Sequence, residues 1–145
     1  MDALKAAMTQ QAIDLHTQYV WNSNSDTQYS CYGMGFVKFA AEEKYLFRWL
    51  YLDGKQPESY QSDVLISKII LAIIDEYGYI EEVARKFHQD MTYYSYGMAI
   101  LANTDHLNLT DSELQDAFHR EFIALAAYYN VSPVPMRLRK QEENL

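Results

Sequence analysis

Hydrophobic side chains recur along this chain at intervals of three and four, and the strict alternation that builds strands is almost absent. The pattern predicts an all-α fold. A first helix runs from Asp2 to about Trp21, with Leu4, Met8, Ile13, Leu15 and Val20 set among good helix formers. Asn22 to Asp26 reads as a loop, and Asp26 suits the N-cap of the next helix. From Thr27 to Ala41, Tyr29, Tyr32, Gly33, Phe36, Val37 and Ala40 fall at helical spacing. Gly33 and Gly35 each cost that helix about 1 kcal/mol relative to Ala. They are expected either to permit close packing or to leave room beside a ligand. A short helix follows from Glu42 to about Leu52, carrying Tyr45, Leu46, Phe47, Trp49, Leu50 and Tyr51, and Asp53 to Pro57 ends it.

Ser62 is placed to cap a helix that is apolar nearly all round, from Val64 to Ile74, and such a helix is expected to be buried on most sides. Tyr77-Gly78-Tyr79 marks a break. Ile80, Ala84, Phe87, Met91, Tyr94, Met98 and Leu101 then form one continuous stripe in steps of four and three. From Met91 onward a second apolar face joins it, made of Tyr93, Tyr96, Gly97 and Ile100. A helix that needs cover on two sides packs on its own domain and on something else, and a second copy of the chain is the expected partner. Thr110-Asp111-Ser112-Glu113 is a capping box, with Leu109 and Leu114 placed as a hydrophobic staple. Leu114, Phe118, Phe122, Leu125 and Tyr129 follow as the stripe of the last long helix, with Ala117, Ala124 and Ala127 allowing close helix approach. The connection from Asn103 to Leu109 is short, so these two helices should run antiparallel. Two such hairpins, one per subunit, would make an intersubunit four-helix bundle, with Phe118, Phe122 and Leu125 joining Tyr93, Tyr96, Gly97 and Ile100 at the interface. Pro133 and Pro135 end the helix, and residues 133–145 are expected to be a flexible tail.

Composition narrows the function. Of 145 residues, 49% are hydrophobic, enough for one domain with a sizeable core. The net charge is −8, and the only tight basic group, Arg137, Arg139 and Lys140, is followed by Glu142 and Glu143. Nucleic acid is bound largely by neutralising phosphates, so this sequence is not expected to bind DNA by itself. No apolar run is long enough to cross a bilayer, and Met1 to Lys5 does not open a signal peptide, so a cytoplasmic protein without membrane contact is expected. Cys31 reads as a small buried hydrophobe. The 13 tyrosines are either ordinary core or the lining of a cavity for a flat, partly polar molecule.

Chemistry-bearing patterns are sparse. Asp116 and His119 stand one helical turn apart, but no matching Glu-x-x-His helix accompanies them. His16, His88 and His106 lack carboxylates at matching spacing and read as surface or hydrogen-bonded histidines. Gly33-Met34-Gly35-Phe36 is not a phosphate loop, since no strand precedes it. Neither an enzyme nor a cofactor is expected.

Two stretches resemble a known family. Tyr32 to Arg48, in which a helix ending Phe39-Ala40-Ala41 leads into Glu42-Glu43-Lys44-Tyr45-Leu46-Phe47-Arg48, is similar to the Phe-Ala then Glu-x-x-x-Leu-Phe-Arg stretch of many TetR/AcrR-family transcriptional regulators. Tyr96 to Leu101, followed by Leu109 to Leu114, is similar to their His-Gly-Leu-Ala-like helix and the Leu-(Ser/Thr)-x-x-Glu start of the last helix, with Tyr96 in place of the usual His. The resemblance implies a C-terminal effector-binding and dimerisation domain over residues 1–132, forming a homodimer through its last two long helices. It also implies that DNA is reached only through a helix-turn-helix headpiece, which no segment ahead of Leu4 supplies. The implied ligand is a small, largely apolar effector, expected among Tyr32, Phe36, Phe47, Tyr51, Ile70, Phe87, Met91 and Tyr94. The rival reading is a stand-alone helical module that binds another protein and has no small-molecule site.

Overall fold

The computed structural model describes residues 2–23, 25–56 and 63–144, and every regular element among them is helical. Helix α1 spans Ala3–Asn22, α2 Gln28–Glu42, and α3 Lys44–Phe47, which leads directly into a wider π turn over Arg48–Leu52. Then come α4 (Asp63–Tyr77), α5 (Glu81–Asn103), α6 (Asp111–Tyr128) and α7 (Met136–Glu143). None of the described helices is long and apolar enough to cross a membrane.

The helix starts are set by local chemistry. The Asp2 carboxylate accepts from the Lys5 amide at the head of α1. At α2 the cap is Thr27 rather than the expected Asp26: Thr27 is the residue with extended backbone, and its hydroxyl accepts from the Ser30 amide at 3.2 Å. A second acceptor reaches the same end from another helix, since the Glu76 carboxylate of α4 takes the Tyr29 amide at 3.1 Å. At α6 both arms of the capping box form, Thr110 to Glu113 and back. The expected cap at Ser62 lies outside the described residues.

Helix α2 is the central element, with α1 on one side and α5 on the other. Its glycines serve close packing. A Cβ on Gly35 would stand 2.5 Å from Val20 Cα and 2.6 Å from Val20 N, so the α1 backbone occupies the space a side chain would need. A Cβ on Gly33 would meet the Phe118 ring at 2.9 Å. Phe39, Phe47, Leu50, Ile73 and Phe87 are wholly enclosed. The polar side chain of Asn103 is enclosed with them. Asn103, at the end of α5, donates to the carbonyls of Ala40 and Lys44 and accepts from Arg48 Nε at 2.9 Å. The α2–α3 corner is thereby tied to α5 with the amide's polar atoms satisfied, which removes the penalty of burying it.

The α5 stripe is buried at Ala84, Phe87, Met91 and Met98 and half-buried at Tyr94, whereas its ends, Ile80 and Leu101, are exposed. Helices α5 and α6 are antiparallel: Tyr94 donates to the Ala117 carbonyl, while Phe87, two turns earlier, stacks on Phe122 and Tyr129. Two expectations are corrected. The near-continuous apolar run of α4 is covered only in part, with Ile70, Ala72, Ile73 and Tyr77 buried but Ile66 and Leu71 exposed. The segment expected as a flexible tail carries α7, which packs on α4. Arg139 donates to the Tyr77 carbonyl, Arg137 to that of Asp26, and Met136 fills the space beside Gly78, whose positive φ makes the α4–α5 turn.

Candidate ligand-binding cavity

A cavity of about 1630 Å³ opens between the second half of α1, α2, the π turn, α4, α5, α6 and residues 133–138. Its wall follows from helical periodicity. On α2 the steps of three and four that join Tyr29, Tyr32, Gly33 and Phe36 turn one face toward the space. Ile69 and Ile70 line it from α4, Met91, Thr92 and Tyr96 from α5, and Phe118 and Phe122 from α6. Rings dominate: Phe36 meets Tyr51 edge-on at 4.9 Å and Tyr96 at the same distance, and Tyr51 also reaches Tyr96.

Two histidine–tyrosine pairs supply the polar chemistry. His16 Nδ1 lies 2.8 Å from the Tyr51 hydroxyl, and its ring stacks on Phe39 at 5.2 Å. His88 Nδ1 lies 3.1 Å from the Tyr29 hydroxyl, and Thr92 donates back to the His88 carbonyl one turn earlier. Burial lowers both imidazoles from the ordinary 6.5 to about 4, so both are neutral at physiological pH. Burial likewise pushes the Tyr29 phenol upward. The charged residues on the lining, Asp26, Lys68, Arg85, Lys86, Asp116 and Arg137, are all exposed. Arg85 and Lys86 are moreover paired with Glu81 and Glu82 one turn away. Charge therefore stays at the rim, and the described interior is neutral.

The residues expected to bind ligand divide in two. Tyr32, Phe36, Tyr51, Ile70 and Met91 line the cavity. Phe47 and Phe87 do not, because they are fully buried behind it, Phe47 under Phe36 and Tyr51, and Phe87 between Tyr79 and Phe122. Tyr94 turns to α6, with its ring against Phe118 and its hydroxyl on the Ala117 carbonyl. The residues expected between subunits also divide. Phe118 and Phe122 are buried within the single chain and face the cavity, and Leu125 is half-buried against the core. Tyr93 and Tyr96 stand at the cavity mouth, 64% and 37% exposed. Gly97 and Ile100 alone of the seven face outward without touching the cavity, and exposed Leu101, Ile123 and Tyr128 accompany them on the outer surface of α5 and α6.

Sequence reasoning missed the two histidines as lining residues. A signal existed for one of them, since Ala12, His16 and Val20 follow at steps of four on one face of α1. Among the described residues no group of three or more His, Cys, Asp or Glu side chains is placed to hold a metal ion. Asp116 and His119 are both exposed, and Cys31 is half-buried with its thiol toward the Ser23 carbonyl. Comparison of the chain with protein-family models, with curated proteins and with solved structures finds no match.

Proposed function

We propose that this chain is the effector-binding and dimerisation domain of a TetR-type transcriptional repressor, with a small, largely apolar molecule in the aromatic cavity and DNA bound through a separate helix-turn-helix headpiece. The observation that carries the reading is the cavity itself: five of the eight residues expected to meet a ligand line one space walled mainly by aromatic and aliphatic side chains. Sites for small molecules have that constitution, concave and apolar with a few placed polar groups. The resemblance of Tyr32 to Arg48 to family members supports it. The motif residues Phe39, Ala40 and Phe47 are buried, and Arg48 is held by Asn103, so the motif marks the corner that sets one wall of the cavity.

In this reading the effector acts through its difference in affinity between two shapes of the dimer. Helices α1, α2 and α4 and the π turn hold it against α5, and α5 with α6 presents the outer face to a second copy. A molecule that wedges the cavity moves α5 relative to the rest, and the two headpieces lose their match to the operator half-sites.

The volume favours a second reading in one respect. Ordinary ligand sites fall at roughly 300–1,000 Å³, and a half-open space of about 1630 Å³ also admits an apolar segment of another protein. Thermal-shift screening against lipophilic compounds separates the two. A compound present at about 100 times its Kd adds about 2.7 kcal/mol to the native state, which raises Tm by roughly 5–10 °C. A library without a single stabilising compound leaves the interaction module as the surviving reading.

A further inference from the structure

The cavity's polarity defines a ligand class more narrowly than its aromatic wall does. An ion held against the inner wall gives up part of its hydration, and such a loss is tolerated only against an opposite charge or a dense set of hydrogen bonds. The described wall holds no charge below the rim, because the six charged lining residues are exposed and two of them are already paired with neighbours on α5. The polar groups of the inner wall include two phenol–imidazole pairs, Tyr29–His88 and His16–Tyr51, together with the buried hydroxyls of Thr27 and Tyr77. Burial keeps both imidazoles neutral at physiological pH, so neither becomes a cation to meet an anion. A phenol with a neutral imidazole offers both donor and acceptor capacity, and suits a hydroxyl, a carbonyl or an amide.

The two pairs are also spaced. Tyr29 belongs to the first pair, and Phe36 carries the second pair on its ring, with His16 at 5.7 Å and Tyr51 at 4.9 Å. Tyr29 and Phe36 lie seven residues apart on α2, which is two helical turns or roughly 10 Å. Between them the wall is Tyr32, Gly33 and, from across the space, Met91, so the middle is apolar and adaptable.

Resting on the reading of this cavity as a small-molecule site, we propose that it takes an uncharged, elongated and flat molecule with a hydrogen-bonding group at each end, bound between Tyr29–His88 and His16–Tyr51. The rim charges do not take part in binding. The apolar middle supplies affinity, and the two ends set orientation and length.

Isothermal titration of the whole chain with four biphenyl probes tests the class directly. The probes are 4,4′-biphenol, with a hydroxyl at each end; 4-phenylphenol, with one; biphenyl-4,4′-dicarboxylate; and 4,4′-bis(aminomethyl)biphenyl. The expected order is 4,4′-biphenol tightest, 4-phenylphenol about tenfold weaker, and both charged probes at least a hundredfold weaker. Tyr29→Phe and Tyr51→Phe should each weaken 4,4′-biphenol about fivefold to tenfold and change 4-phenylphenol less, because that probe can use the other end. The ranking on the unaltered chain does not depend on how well either variant folds. If a charged probe binds as tightly as 4,4′-biphenol, the proposed class is wrong while the cavity remains a small-molecule site. Equal affinity for the one-ended and two-ended phenols overturns the two-ended geometry. No binding by any of the four overturns the proposed class, and the thermal-shift screen decides separately whether the cavity takes a small molecule at all.

Discussion

Gly35 sits at the middle of α2 and Gly97 in the last third of α5, and the chain surrounds them in opposite ways. At Gly35 the α1 backbone lies where a Cβ would be, 2.5 Å from Val20 Cα. At Gly97, its own helix backbone aside, nothing among the described residues comes within 4 Å of that position. Each glycine costs its helix about 1 kcal/mol relative to Ala. On the inner side that cost is offset by an α1–α2 contact only a bare backbone can make. On the outer side no contact among the described residues offsets it, and the neighbours are exposed apolar groups, Tyr93, Ile100 and Leu101. The same residue type thus marks a completed interface in one place and an uncovered surface in the other.

The completed side should break hardest. Gly35→Val sets its branched carbon against main-chain atoms that cannot rotate away, so α1 must lift from α2. A loss of about 3–5 kcal/mol is expected, at the upper end for overpacking because backbone rather than side chain is displaced. Urea unfolding followed by circular dichroism measures it. A loss below about 1 kcal/mol would mean that α1 is not held at this crossing.

The contrast also explains how far the sequence was legible. Periodicity located the helices, and local chemistry gave the α6 start, because a capping box is complete within four residues, Thr110 to Glu113. Where long-range contacts decide, local reading failed by small amounts or altogether. Thr27 rather than Asp26 caps α2, in a setting where the distant Glu76 shares the same helix end. Residues 133–145 looked like a tail because nothing in their own pattern announces the carbonyls of Asp26 and Tyr77 that receive Arg137 and Arg139. Within the candidate site, the stripe on α2 pointed to Tyr32 and Phe36, which line the cavity. Phe47 and Phe87 were misassigned because a helical face toward the core and one toward a cavity carry the same side chains. Phe118 and Phe122 show the converse, since an amphipathic stripe does not say whether its cover is the same chain or another. The histidines escaped because their partners, Tyr51 and Tyr29, lie 35 and 59 residues away in sequence.

Acid should sharpen the contrast, because buried histidines belong to the inner side alone; His106 and His119 are exposed. The unfolded chain protonates His16 and His88 near 6.5, whereas burial holds the folded chain's imidazoles near 4. Between those values the unfolded state binds more protons, so the stability these groups contribute is complete above about pH 6.5 and is lost as pH falls toward 4. At pH 5 the loss is expected to be about 1–2 kcal/mol per histidine. Urea midpoints at pH 7 and pH 5, compared between the unaltered chain and His16→Gln/His88→Gln, isolate the effect. The variant is less stable at pH 7 and should show a markedly shallower fall. Parallel falls in both proteins would place the acid sensitivity elsewhere.

The outer side should scarcely register in folding and should register fully in assembly. A Cβ at Gly97 meets nothing among the described residues, and glutamate is the better helix former, so Gly97→Glu changes the stability of the single chain by less than about 1 kcal/mol, in the favourable direction. The same carboxylate placed between two closely approaching α5 helices would be buried without a partner, which an interface between copies does not tolerate. Light scattering should therefore give the mass of two subunits for the unaltered chain and of one for Gly97→Glu, with helical content by circular dichroism unchanged. Ile100→Glu, one turn along the same exposed face, should act alike. If both variants keep the mass of two, the copies meet elsewhere. If the unaltered chain already has the mass of one, the uncovered face of α5 is open to a different partner, and the cost of Gly97 must be explained by that partner's surface.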